Sequence, residues 1–235
     1  IKSITGIDTD RLTAEKTRGS TIENGFAELI DGSFNISIID VPGHEKFIKN
    51  MLSGIGGIDL VLLIVALDEG IMPQTVEHFE IVKMLNINSG IIVLTKNDVT
   101  DDEEWKELVE MDAAELVKGS FLEDAPVIRV SAKTGYNLQQ LKDVIVKELS
   151  KIPSRDLTDN PFRLPIDRVF TIAGFGTVVT GTLLEGRIKV GDEVAVYPNK
   201  GLTRVRNVQV HNEPVSQACA GQRTAINLGG LKKED

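Results

Sequence analysis

Leu60-Val61-Leu62-Leu63-Ile64-Val65-Ala66-Leu67 is an unbroken aliphatic run of strand length, followed at once by the acids Asp68 and Glu69. It is too short to span a membrane and has no polar alternate face, as a strand buried on both sides of a sheet requires. Gly90-Ile91-Ile92-Val93-Leu94-Thr95 repeats the texture, and Pro126-Val127-Ile128-Arg129-Val130-Ser131 repeats it more weakly. Upstream, Phe34-Asn35-Ile36-Ser37-Ile38-Ile39-Asp40 alternates and ends in an acid. Helical patterns fit between these runs at about 44–54, 74–86, 103–118 and 137–150. Strand–helix alternation of this length predicts an α/β domain with a doubly wound, mostly parallel sheet. Such sheets take ligands at the carboxyl ends of their strands. Asp40, Thr95 to Asp98, and Ser131 all fall there.

Past residue 152 the texture changes. Pro153 to Pro161 is polar and reads as a linker. Beyond it, short Val/Ile/Thr-rich runs are punctuated by Gly176, Gly181, Gly186, Gly191, Gly201 and Gly221, with no helical period. A small antiparallel β-barrel is expected there. The predicted organisation is therefore 1–152, a linker at 153–161, and a barrel at 162–235.

Composition sets the outer bounds. The 235 residues are 41% hydrophobic and 26% charged, which excludes wholesale disorder. One cysteine, Cys219, excludes a disulfide framework and a multi-cysteine zinc site and suits a reducing, cytoplasmic setting. The net charge of −9 argues against nonspecific coating of nucleic acid. The charge is uneven, however: residues 161–235 hold ten Lys/Arg against seven Asp/Glu, so the acidity resides in the first part. Two domains with different partners follow from that asymmetry.

Four short motifs carry chemistry. In Asp40-Val41-Pro42-Gly43-His44 a strand-end acid suits a magnesium ion, a glycine lets its N–H approach a phosphate, and a histidine is placed to orient water. Alone, the same string is also an ordinary strand–turn–helix. In Thr95-Lys96-Asn97-Asp98 the carboxylate can accept two N–H groups of guanine, and the lysine stem can lie over the base; alone, it is also a solvated turn. Ser131-Ala132-Lys133 offers backbone N–H groups to the guanine oxygen, or simply caps the next helix. Arg18-Gly19-Ser20-Thr21-Ile22 offers a loop hydroxyl for magnesium and an N–H for a γ-phosphate. Their order along the chain, each at a strand end or in a loop, is what separates them from chance.

That order and wording resemble the translational GTPases, and within them the selenocysteine-specific elongation factors. The matching text includes Ile4-Thr5-Gly6-Ile7-Asp8-Thr9-Asp10-Arg11-Leu12, Asp40 through Met51, and Asp68-Glu69-Gly70-Ile71-Met72-Pro73-Gln74-Thr75. In the second part it includes Asp167 to Ile172, Gly174 to Thr182, and Ala220-Gly221-Gln222-Arg223. Elongation factor Tu looks similar but usually has other residues at Val41 and Thr95. The resemblance implies GTP and GDP as ligands, with magnesium held by Thr21 and Asp40. It implies Gly43 on the γ-phosphate and His44 positioning the hydrolytic water. Thr95, Lys96 and Asp98 would select guanine, beside Ser131, Ala132 and Lys133. In the barrel, Arg168, Arg223 and His211 would line a pocket for the anionic selenol of selenocysteinyl-tRNA. The implied partners are that tRNA, the ribosome, and a messenger stem-loop bound by parts outside this sequence; a monomer and no membrane are expected. Another tRNA-delivering translational GTPase, or a non-catalytic remnant keeping the tRNA contacts, are the alternatives.

One family motif is missing from the text. No G-x-x-x-x-G-K-[ST] occurs, and the nearest string, Gly186 to Gly191, runs into Asp192, which would repel phosphate. The resemblance places that phosphate loop, and the first strand of the sheet, just ahead of Ile1.

Overall fold

A computed structural model describes residues 1–9, 21–32, 34–48, 51, 57–85, 87–153, 157, 159–172, 176–198, 201–210 and 213–230. Arg18, Gly19, Ser20 and His211 lie outside the described residues. The chain forms two compact units, one of residues 1–48 and 58–153, the other of residues 49–57 and 154–235.

In the first unit the aliphatic runs become the parallel sheet they predict. Strands β3 (Val61–Ala66), β4 (Gly90–Thr95) and β5 (Val127–Arg129) lie in the order β3-β4-β5, paired in parallel. β4 is central and buried on both faces, and its alternate residues feed two separate cores. Ile92 and Leu94 face Phe79 of α2 (Pro73–Lys83) and Val109, Ala113 and Val117 of α3 (Glu103–Val117). Ile91 and Val93 face Leu141 and Ile145 of α4 (Leu138–Lys151). Helices cover both faces, so the sheet is doubly wound.

Local chemistry sets the helix ends. Pro73 opens α2, where its missing N–H costs nothing. The helix stops at Lys83, short of the expected 86, because Met84 and Leu85 bond back to Ile81 and Val82 in a tightened last turn. Asp102 caps α3 by accepting the Trp105 N–H at 3.1 Å. The helix expected at 44–54 begins as a 3-10 turn over Glu45–Phe47; most of the remainder lies outside the described residues.

A hairpin is an addition to the sequence-based reading. β1 (Gly25–Asp31) pairs antiparallel with β2 (Phe34–Asp40), matching Gly25 to Asp40 and Asp31 to Phe34. Its signal is the Asp31-Gly32 turn, with Gly32 at φ 57°. Among the described residues no ladder joins β2 to β3. Ile36 of β2 nevertheless packs with Leu60 and Leu62 against the α4 side of the core.

The second unit is antiparallel and barrel-like. β6 (Arg168–Ile172), β7 (Gly176–Thr182), β10 (Gly201–Val210), β11 (Glu213–Val215) and β13 (Arg223–Leu228) run in the order β11-β10-β13-β7-β6. β9 (Glu193–Val196) adds to β10, and β8 (Arg187–Lys189) pairs with β12 (Gln217–Cys219). Leu183, Ile188, Val208, Ala218 and Ile226 form its core. Part of the stretch before β6 lies against this unit: Leu157 accepts the Gly186 N–H at 2.7 Å, and Arg163 bridges to Glu185. Gly186 needs its positive φ of 78° and its missing side chain, since a Cβ would stand 2.6 Å from the Asn160 carbonyl oxygen. Among the described residues no helix is long and apolar enough to cross a membrane.

Candidate functional site

The carboxyl ends of β4 and β5 bring six of the expected residues together. Thr95 closes β4 with its hydroxyl on the Val65 carbonyl at 3.3 Å. Lys96 turns the chain with φ 60°, a left-handed conformation rare outside glycine. The Asn97 N–H then bonds to the Val130 carbonyl at 3.1 Å, tying this loop to the end of β5. Asp98 and Ser131 meet across that junction: the Ser131 hydroxyl donates to Asp98 Oδ1 at 2.5 Å. Ser131 is fully buried, and its Oγ also accepts the Thr134 N–H at 3.1 Å. Lys133 Nζ stands 3.9 Å from Asp98 Oδ2, and the Ala132 carbonyl accepts the Ser3 hydroxyl at 3.4 Å.

This arrangement keeps Asp98 ionised. The Ser131 hydroxyl, first, and then its own backbone N–H and the Lys133 charge hold the carboxyl below its usual range, against a smaller opposing effect of desolvation. As a carboxylate the group only accepts hydrogen bonds, and the Ser131 hydroxyl fixes one of its oxygens. Lys96 is fixed from the other side. Its ammonium bonds to Asp68 Oδ2 at 2.9 Å and Glu69 Oε1 at 3.2 Å, and Asp68 first among them raises its pKa. These two acids follow β3 directly, and nothing in the sequence marks them as partners of Lys96. Their turn is anchored in turn by Trp105, whose indole N–H donates to the Leu67 carbonyl at 2.6 Å, and by the Gly70 N–H on Ala66 at 2.9 Å.

A second group lies at the carboxyl end of β2. Asp40 Oδ2 accepts the Thr9 hydroxyl at 2.6 Å. Pro42 is buried, whereas Gly43 and His44 are exposed. A Cβ at Gly43 would meet nothing within 4 Å, so the backbone there is open to approach. The His44 carbonyl accepts the Phe47 N–H at 2.8 Å, and its Nδ1 accepts the Lys46 N–H at 3.3 Å. The ring stands edge-on to Phe47, 6.0 Å between centroids. Thr21 is half-buried on the segment leading into β1. Among the described residues no group of three or more His, Cys, Asp or Glu side chains is arranged to hold a metal.

In the barrel-like unit, Arg168 opens β6 opposite Thr180 of β7, and Arg223 opens β13 opposite Thr182. Arg223 has a close partner that was not foreseen. Its guanidinium grips Asp167 with two hydrogen bonds, at 2.5 and 3.0 Å, and the Thr180 hydroxyl joins at 2.9 Å. The Asp167 side chain is 5% exposed and that of Arg223 16%, so the carboxylate is buried and the guanidinium partly so. His211 lies outside the described residues.

Comparison with known proteins places this geometry. Residues 2–151 match the elongation factor Tu GTP binding domain. The chain belongs to that family. Residues 176–235 match elongation factor Tu domain 2. Over 99% of its length the chain is 51% identical to the selenocysteine-specific elongation factor of Desulfomicrobium baculatum. It is 40% identical to the protein of the same name from Escherichia coli strain K12, over 98% of its length. It spans 36% and 37% of the length of these two relatives. Among solved structures, a bacterial selenocysteine-specific elongation factor superposes with a TM-score of 0.90 at 42% identity, over all of this chain and 40% of that one. The translation elongation factor SelB of Methanococcus maripaludis, in complex with the GTP analogue GppNHp, superposes at 0.88 with 34% identity, over 99% of this chain and 48% of that one.

Proposed function

We propose that the protein is a GTP-dependent elongation factor that carries selenocysteinyl-tRNA to the ribosome at recoded UGA codons and hydrolyses GTP on codon recognition. The observation that carries the nucleotide half is the Asp98 carboxylate, held ionised by the buried Ser131 hydroxyl beside Lys96. A fixed acceptor of this kind pairs with the two N–H groups on guanine's Watson–Crick edge and meets no matching donors on adenine's. The backbone N–H groups of Ala132 and Lys133 complete the base site on its oxygen side. The similarity to selenocysteine-specific factors over 99% of the chain supports the tRNA half.

The phosphate end follows from β2. Thr21 and Asp40 offer a hydroxyl and a carboxylate, the hard oxygen donors that magnesium takes one or two at a time alongside water and phosphate oxygens. They fit the ion, which when bound neutralises charge building on the phosphates. The Gly43 N–H approaches the γ-phosphate without steric hindrance. His44 orients a water for in-line attack on the γ-phosphorus; a P–O bond forms, the bond to the β-phosphate oxygen breaks, and GDP and phosphate leave. Water-positioning by glutamine in Ras-type enzymes is the parallel.

In the second unit, Arg168, Arg223 and His211 would supply the basic side chains of a pocket for the esterified selenocysteine. Selenols ionise at neutral pH, so cationic neighbours favour them over the neutral hydroxyl of serine. The messenger stem-loop is bound by other parts of the protein, which acts as a monomer in the cytoplasm. The test uses the intact protein: GTP against ATP in equilibrium binding, then selenocysteinyl-tRNA against seryl-tRNA with GTP bound. Preference for GTP and for the selenocysteinyl ester is expected. Equal affinity for the two esters would replace this reading with a general tRNA-delivering GTPase.

A further inference from the structure

Gly25 stands where a side chain has no room. A Cβ on it would lie 2.6 Å from the Thr9 Cβ, 3.1 Å from the Thr9 carbonyl oxygen and 3.2 Å from the Asp40 Cβ. Its backbone is ordinary strand, so the turn chemistry that usually explains a glycine does not apply here. What the missing side chain permits is the approach of Thr9. Gly25 is the register partner of Asp40 across the hairpin, and Thr9 lies over that pair with only 9% of its surface exposed.

The route that delivers Thr9 is defined as well. α1 (Lys2–Thr5) ends at Gly6, which adopts φ 75° and donates its N–H to the Lys2 carbonyl. The Ile7 N–H then bonds to the Thr5 hydroxyl at 3.1 Å, which bends the chain toward β1. At the end of this bend the Thr9 hydroxyl donates to Asp40 Oδ2 at 2.6 Å. A short hydrogen bond to a carboxylate is of the stronger, charge-assisted kind. A β-branched side chain also holds its hydroxyl in few rotamers.

We propose that Thr9 is a positioning residue: its hydroxyl fixes the orientation of the Asp40 carboxylate toward the magnesium–nucleotide complex, in space that Gly25 leaves open. This inference rests on the reading of Asp40 as the magnesium-side carboxylate. Magnesium tolerates little departure from octahedral geometry, so a carboxylate free to rotate serves it poorly. Groups that orient metal-side ligands affect affinity without touching the ion themselves.

The experiment is a magnesium titration of the intact protein, with binding of a fluorescent GTP analogue as the readout and no turnover required. Thr9→Val keeps the shape and removes the hydroxyl. It should raise the magnesium concentration for half-maximal binding about tenfold, the lower end of what such supporting contacts contribute. Thr9→Ser should restore the midpoint to within about twofold, since it restores the charge-assisted donor. Gly25→Ala should reproduce Thr9→Val, because its methyl displaces Thr9. A Thr9→Val midpoint equal to wild type, while Asp40→Asn raises it, would overturn the role of Thr9 and leave Asp40 standing. An Asp40→Asn midpoint equal to wild type would overturn the reading of Asp40 and this inference with it. A Thr9→Ser variant as impaired as Thr9→Val would assign the effect to packing and also overturn the proposal.

Discussion

The two ends of the first unit hold their chemistry differently. At the ends of β4 and β5, Asp98 is gripped by a fully buried serine, and Lys96 by two acids on a turn that is itself anchored. At the end of β2, Gly43 and His44 are exposed, and open space surrounds Gly43. The end proposed to read the base is held together by side-chain contacts within the protein. At the end of β2 the Thr9 hydroxyl ties down Asp40, while the neighbouring Gly43 backbone and His44 ring stand open to solvent. Selectivity needs a fixed acceptor, whereas a switch needs groups whose contacts change with the ligand.

Four substitutions probe this difference in the intact protein. The largest effect belongs to Asp98→Asn. It turns an acceptor into a donor, so GTP should bind about 10⁴-fold more weakly while xanthosine triphosphate gains, as expected where a site's polar groups are left mismatched. An unchanged order of preference in competition binding would remove Asp98 from base reading. Next comes His44→Ala, which should lower ribosome-stimulated hydrolysis by about 10³-fold, within the usual range for a group that assists proton transfer or orients water. GTP affinity should stay near the wild-type value, because the exposed ring's contacts, with the Lys46 N–H and Phe47, lie within its own turn; parallel losses in both would deny His44 a role specific to the chemical step. Gly43→Ala should leave thermal stability unchanged, since its Cβ meets empty space, yet weaken GTP relative to GDP by about tenfold, because the added methyl holds a charged phosphate oxygen off the residue's N–H. A fall in melting temperature would show that the turn is not open.

The smallest effect is that of Ser131→Ala, a few-fold weaker guanine binding with an altered acid limb. Because the folded-state pKa of Asp98 is depressed, the stability it contributes is present above the ordinary aspartate pKa. That contribution is lost only as pH falls through the depressed value. Removing the serine should move this loss to higher pH, and an acid titration followed by circular dichroism would show the shift. An unmoved acid limb would mean that Ser131 does not set the charge of Asp98.

How much of this was legible in the sequence depends on distance along the chain. β3, β4 and β5 announced themselves because continuous aliphatic text has few other uses in a chain of this composition. Asp98 and Ser131 were legible as strand-end residues, though not as partners, since 33 residues separate them. β1 was missed because Phe26-Ala27-Glu28-Leu29-Ile30 mixes charge with apolar residues and buries only its alternate side chains. The acids that hold Lys96 lie 27 and 28 residues upstream and carry no local signature as lysine partners. Asp167 stood next to an arginine that had been singled out, but its tie to Arg223 exists only once β6, β7 and β13 are side by side. The same contact sharpens expectations for the barrel-like unit. Removing Asp167 takes away both of these hydrogen bonds from a guanidinium that is only 16% exposed, and Asp167→Ala should destabilise that unit by about 1–3 kcal/mol, measurable by denaturant unfolding.

The Trp105 indole, bonded to the Leu67 carbonyl, is the sole tryptophan of these 235 residues. Its emission therefore reports on one place, the turn whose two acids clamp Lys96. A movement of that turn that displaces the Leu67 carbonyl lengthens the indole hydrogen bond and shifts the emission spectrum. The domain thus carries an intrinsic optical gauge of the turn beside Lys96, with no dye and no engineered label.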